Sequence, residues 1–191
     1  MFAFKKKYFL LIESIKDINL RNLKKYNKFT IIYRNNKTKE NFNQLLKFRK
    51  QCKLKLADFY VANDKKLAIS LGADGIYLSS YNTNLGSLYL RRRNFKIIGS
   101  AHNTKELNIK LLQGCSSVIF SRLFKVSSPL KKGFMGVIKF NLFKLSRREN
   151  LVPLGGIRLS NLNKLNLVNS NSFALLSEIK KKPANIINRL F

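Results

Sequence analysis

The residues with chemistry to offer are few, and they recur in one setting, the last positions of short apolar runs. Arg34 closes the run 29–34, Asn63-Asp64 stand at the end of 57–63, Ser79-Ser80 end 75–80, and His102 follows Ser100-Ala101 in 96–101. Further on, the run 117–123 leads into the basic stretch 125–132, Gly155-Gly156 end 151–156, and Ser177 lies within 172–179. One carboxylate, one histidine, several hydroxyls, basic groups and a glycine pair suit an anionic, phosphate-bearing ligand better than a hydrolytic centre. No Ser–His–Asp order, paired-carboxylate motif or Walker loop is present. With two cysteines, Cys52 and Cys115, and the single His102, neither a disulfide framework nor a four-ligand zinc site can be assembled.

Side chains scattered over the whole chain can meet only if the elements that carry them are arranged alike. The apolar runs 8–13, 29–34, 57–63, 75–80, 96–101, 117–123, 151–156 and 172–179 mostly lack clean alternation, as strands buried on both faces of a parallel sheet do. Between them lie segments with helical spacing. Residues 38–54 place Phe42, Leu45, Leu46 and Phe48 near one side, and 158–169 repeat Leu159, Leu162 and Leu165 at intervals of three. Asn103-Thr104-Lys105-Glu106 is a capping-box variant that opens a helix, and Gly72 and Gly114 stand where helices should stop. Eight strand–helix units in 191 residues predict an α/β fold of the (β/α)8 TIM-barrel type, compact with short loops, in a single domain over residues 1–191. An open doubly wound sheet would want a glycine-rich phosphate loop after the first strand, and Ile12-Glu13-Ser14-Ile15 is none. In a barrel the strand C-termini converge on one mouth, which is where the residues above would gather.

Composition bounds the rest. A hydrophobic share of 45% supplies one sizeable core, and no apolar run approaches the ~18 residues of a membrane span. The apolar stretch after the basic start is too short for a signal-peptide core, so a cytoplasmic protein is expected. Against 9 acidic residues stand 38 Lys and Arg, a net charge of +29. Such charge admits nucleic acid, an anionic membrane face or phosphorylated substrates. The basic residues are spread through every segment, however, and Lys, Asn, Ile, Phe and Tyr all come from A/T-rich codons, so drift in composition is the favoured account of the charge and an anionic partner the second. Nucleic acid is a possible partner, not a favoured one: there is no RNP signature, helix-turn-helix glycine turn or zinc knuckle.

Around the strand ends the sequence resembles the thiamine-phosphate synthase/TenI family, whose members are (β/α)8 barrels. The most specific stretch is Asn63-Asp64-Lys65-Lys66-Leu67-Ala68 with Gly72-Ala73-Asp74-Gly75-Ile76-Tyr77-Leu78. Ser100-Ala101-His102-Asn103, Leu154-Gly155-Gly156-Ile157 and Leu176-Ser177 match further pieces in the same order. The resemblance implies a transferase of thiamine biosynthesis that joins hydroxymethylpyrimidine diphosphate to thiazole phosphate and releases pyrophosphate. It also implies a Mg2+ ion on the diphosphate and a pyrimidine cation as intermediate. Carried over by position, Arg34 contacts the diphosphate, Asn63 the pyrimidine–diphosphate region and Asp64 the magnesium, while Ser100 also lies at the diphosphate. Gly155 and Gly156 admit the thiazole phosphate to backbone N–H groups, with Ser177 nearby. His102 occupies the position where the TenI branch moves a proton to isomerise the thiazole, which makes a TenI-like tautomerase, or a catalytically weak thiazole-phosphate binder, the alternative reading.

The sequence also departs from the family. Of its Gln-x-Arg-x-Lys, only the arginine survives in Ile32-Tyr33-Arg34-Asn35-Asn36. The second magnesium carboxylate falls on Asn82. The Thr-x-Thr-Lys phosphate loop stands as Val126-Ser127-Ser128-Pro129-Leu130-Lys131-Lys132, in which Ser127, Ser128 and Lys131 take the substrate-binding places. Structural roles compete at several of these positions: Asp64 as a helix N-cap, Asn63 as a loop amide, Asp74 as a turn former, and the glycine pair as close packing at a barrel corner. Nothing in the sequence fixes an oligomeric state.

Overall fold

A computed structural model describes residues 6–23, 28–35, 40–93, 95–126, 133–181 and 183–190. Its strands are β1 Lys7–Ile12, β2 Phe29–Tyr33, β3 Asp58–Ala62, β4 Gly75–Leu78, β5 Lys96–Ala101, β6 Ser117–Ser121, β7 Leu151–Leu154 and β8 Ser172–Leu175. All neighbours pair in parallel in sequence order, and β8 returns to β1 with Tyr8 beside Phe173, so the eight strands close into a barrel as the strand count predicts. Alternate residues divide between two apolar masses. Phe9, Leu11, Ile32, Tyr60, Ile98 and Val152 are among those filling the barrel, while Leu10, Ile31, Phe59, Val118 and Phe173 face outward beneath the surrounding layer. Both faces of each strand are dry, which is why the runs carry no polar alternation.

The surrounding layer departs from eight α-helices. The α-helices are α1 Phe42–Leu54, α2 Lys65–Ser70, α3 Thr104–Leu112, α4 Gly136–Leu145, α5 Ser177–Lys181 and α6 Pro183–Arg189. The connections after β1, β4 and β7 are instead 3-10 segments, Ile15–Asp17 with Leu20–Asn22, Leu85–Arg93 and Leu159–Leu167. The three-residue leucine interval, read above as α-helical, is the 3-10 repeat itself, which stacks Leu159, Leu162 and Leu165 on one edge. The last strand is also shorter than expected. It ends at Leu175, and Ser177 and Ile179 belong to α5, where Ile179 is fully buried in the outer core. Among the described residues, no helix is long and apolar enough to cross a membrane.

The floor of the barrel, opposite the mouth, is tied by Asp74. One carboxylate oxygen meets the Arg49 guanidinium at 2.8 Å and the other accepts from the Phe59 N–H at 2.7 Å, while Arg49 Nε donates to the Gly72 carbonyl. The turn role expected for Asp74 is therefore part of a tie between α1, β3 and β4. Gly75 follows because a Cβ there would lie 2.1 Å from the Lys96 carbonyl oxygen. Asp74→Ala should lower stability by about 2–3 kcal/mol, since it strands a largely buried guanidinium and an N–H. Urea unfolding measures this; a loss below about 0.5 kcal/mol, the scale of an ordinary surface change, would contradict it.

Candidate active site

At the mouth, Arg34 follows β2 and extends its ladder through an N–H···O bond to Ile12 of 2.8 Å. Its side-chain Nε is buried and has no hydrogen-bond partner among the described residues. Tyr77, pointing inward from β4, lies within the field of Arg34 and hydrogen-bonds with Ser100 on β5. Burial pushes the Tyr77 phenol up, and the Ser100 bond and the Arg34 charge draw it partly back. Strands β2, β4 and β5 thus bring Arg34, Tyr77 and Ser100 together. A buried guanidinium N–H without an acceptor is costly unless a ligand supplies one.

Beside this cluster, the β3–α2 turn presents Asn63 and Asp64. Asn63 adopts a left-handed backbone (φ 59°), a conformation asparagine tolerates better than most residues. Its amide is spent within the protein. Nδ2 donates to Ser79 Oγ and the Tyr81 hydroxyl, and Oδ1 accepts from Ser79 N and Asn82 Nδ2. Asp64 caps α2, its Oδ1 accepting from Leu67 N at 2.9 Å, which leaves Oδ2 without a partner among the described residues. Together with Lys65, Lys66 and Asn82 these residues line an open pocket of about 490 Å³. Asn82 directs Oδ1 to Asn84 N and Nδ2 to Asn63, so its side chain shapes the pocket wall. Among the described residues no group of three or more His, Cys, Asp or Glu could hold a metal, and the pocket offers one carboxylate, Asp64.

His102 stands just beyond β5. The Asn103 box forms as expected: Asn103 Oδ1 accepts from Glu106 N, and Glu106 returns to the His102 N–H. This pins the backbone under the imidazole, whose Nδ1 is 2.5 Å from Ser121 Oγ. Ser121 and Tyr77 were not singled out from sequence. The signal was strand parity, since Ile119 and Gly75 place residues two further on inside the barrel. The two cysteines are remote from this chemistry: burial pushes each thiol up to about 12, which keeps both protonated.

Across the mouth, Gly155 (φ 103°) and Gly156 (φ 68°) form the exit of β7. A Cβ on Gly156 would meet the Phe124 and Lys125 carbonyl oxygens at 2.5 and 2.6 Å, so the pair packs directly on the segment leaving β6. Phe124 N donates to Gly155 O, and the N–H of Gly156 has no acceptor among the described residues. Close packing and an unpaired donor coexist here. Ser177 opens α5 at an exposed position, and Ser127, Ser128 and Lys131 lie outside the described residues. Gly156→Ala should cost about 2–4 kcal/mol through left-handed strain and backbone overlap. A melting temperature equal to the wild type's would contradict this packing.

Three comparisons bear on this arrangement. Residues 18–179 match the family described as thiamine monophosphate synthase. A thiamine-phosphate synthase of Pelagibacter ubique is 29% identical over 163 residues, covering 81% of this chain and 78% of that protein. One of Prochlorococcus marinus is 26% identical over 176 residues, or 88% of this chain, which spans 48% of that protein's length. Among solved structures, a thiamine phosphate pyrophosphorylase of Pyrococcus furiosus superposes with a TM-score of 0.72 at 16% identity, covering 98% of this chain and 95% of its own. At that identity the likeness shows the barrel fold.

Proposed function

The chain belongs to the thiamine monophosphate synthase family, and from that premise we propose that it couples hydroxymethylpyrimidine diphosphate to thiazole phosphate, releasing pyrophosphate. The observation that carries the reading is Arg34, whose buried and unpartnered Nε lies by Tyr77 and Ser100 at the mouth. A diphosphate oxygen supplies the missing acceptor, and Ser100 adds a hydroxyl donor to the same group. Asn63, committed to Ser79, Tyr81 and Asn82, serves the pyrimidine side by fixing the wall against which the ring lies. The Gly156 N–H, unpaired among the described residues, and the backbone of the adjoining Gly155 receive the thiazole phosphate, whose other contacts fall to Ser177 and to Ser127, Ser128 and Lys131.

Magnesium fits this donor set in one form. A Mg2+ ion generally keeps several waters and takes one or two carboxylates together with substrate phosphates. Asp64 Oδ2 is the oxygen that would hold it, with Lys65 and Lys66 lining the same pocket. When bound there, the ion supplies neutralisation of the leaving pyrophosphate. Arg34 and the two lysines contribute positive charge to the same end, and the apolar barrel floor of Tyr60 and Ile98 keeps water from beneath the ring. The cytoplasm is the proposed location, where both phosphorylated precursors would be met.

A second reading is favoured by one contact. Ser121 occupies Nδ1 of His102, which leaves Nε2 as the ring nitrogen available for proton transfer, as a TenI-like isomerisation of the thiazole needs. The two readings separate in a bacterium lacking its own thiamine-phosphate synthase. Expression of this chain should restore growth without thiamine, and His102→Gln should retain that growth. Failure of the wild type to restore growth, with isomerisation of the thiazole phosphate by the purified protein, would favour the second reading.

A further inference from the structure

Lys110 lies on α3, on the outside of the barrel, yet its side chain is fully buried. It has no carboxylate within ion-pair distance among the described residues. A buried ammonium without a counter-ion is costly, so what it touches matters. Its Nζ donates to the Asn82 carbonyl oxygen at 2.5 Å and to Gln113 Oε1 at 2.9 Å. Gln113 Nε2 in turn donates to the carbonyls of Asn82 and Asn84 at 2.9 and 3.0 Å. Two side chains, one on α3 and one at its C-cap, therefore grip the Asn82 and Asn84 carbonyls of the loop after β4. Space for the lysine stem is reserved by Gly99 on β5, where a Cβ would lie 2.8 Å from Lys110 Cδ. The far side of the gripped loop is the wall of the pocket beside Asp64, where Asn82 Nδ2 reaches Asn63 Oδ1.

We propose that Lys110, seconded by Gln113, is a positioning residue for the diphosphate half of the site, holding the Asn82 loop in place through its main chain. The proposal rests on the reading of the pocket beside Asp64 as the diphosphate site. The relay is specific: Lys110 fixes Asn82, Asn82 fixes the Asn63 amide, and Asn63 fixes Ser79 and Tyr81. The phosphate-binding side at Gly155 and Gly156 shares none of these bonds. A residue that merely supported the fold would affect both halves alike.

The experiment pairs calorimetry with hydrogen exchange on the full chain. Lys110→Met keeps the stem and removes the ammonium; Gln113→Leu removes the second donor and leaves the lysine. Affinity for magnesium pyrophosphate should fall about tenfold in Lys110→Met and about threefold in Gln113→Leu, with affinity for thiazole phosphate within twofold of wild type. Amides of residues 79–86 should exchange faster in both variants. Asp74→Ala, which loosens the opposite end of the barrel, should leave magnesium pyrophosphate affinity unchanged. Equal weakening of both ligands, or unchanged exchange across 79–86, would overturn the proposal. If the wild type binds no magnesium pyrophosphate, the diphosphate reading itself fails; exchange at 79–86 then still decides whether Lys110 holds the loop.

Discussion

Replacing Arg34 with methionine should lower kcat/KM for the pyrimidine diphosphate by about 10²–10³-fold, the range seen when one preorganised donor to a developing anion is lost. The effect should exceed the stability change, because Nε makes no bond among the described residues that the substitution would break. Stability should even rise slightly, as a buried donor without an acceptor disappears. Arg34→Lys should recover only part of the loss, since a lysine carries the charge without the guanidinium fork that can meet two phosphate oxygens at once. Steady-state kinetics with each substrate varied in turn, alongside urea unfolding, measures both quantities. A variant that loses stability and keeps its activity would return Arg34 to the fold.

Asp64 is the second position with a large expected effect, and here the choice of variant matters. Alanine removes the cap of α2 and the carboxylate together, whereas asparagine keeps a capping oxygen for Leu67 N and removes only the charge. Asp64→Asn should therefore fold like the wild type and require far more magnesium, with turnover reduced about 10²-fold. Asn82→Asp tests the same point from across the pocket. It adds a carboxylate where the family places its second one, but it deletes the amide donor to Asn63 Oδ1. The magnesium requirement should fall several-fold, short of the full benefit of a second ligand. Equal magnesium dependence in the wild type, Asp64→Asn and Asn82→Asp would show that no ion lies between the two positions.

These positions illustrate how far sequence reaches. Dry strands, a helix cap at Asn103 and glycines that end helices are local patterns with one physical cause each, and the eight-stranded barrel followed from them. Once strand ends converge, Arg34, Asn63-Asp64, Ser100 and the glycine pair are brought to one mouth without further information. The leucine interval of three in 158–169 carried its own answer, since an α-helix would have spaced the apolar edge at three and four. The end of β8 was misplaced because Phe173, Leu175, Leu176 and Ile179 suit a strand and a helix start equally well. Lys110 is a different kind of miss. Its partner Asn82 is 28 positions away and the bond is to a main-chain oxygen, so no residue type at 82 could have announced it. Asn63 likewise gave no sign that its amide would be consumed by Ser79, Tyr81 and Asn82.

The central claim is that one chain forms the bond between the two precursors. The direct measurement incubates the purified protein with magnesium, hydroxymethylpyrimidine diphosphate and thiazole phosphate, and follows thiamine phosphate by fluorescence after oxidation alongside released pyrophosphate. Equal amounts of the two products, formed only when both substrates are present and lost in Arg34→Met, is the expected result. No thiamine phosphate under conditions where the wild type binds both substrates by calorimetry would contradict it.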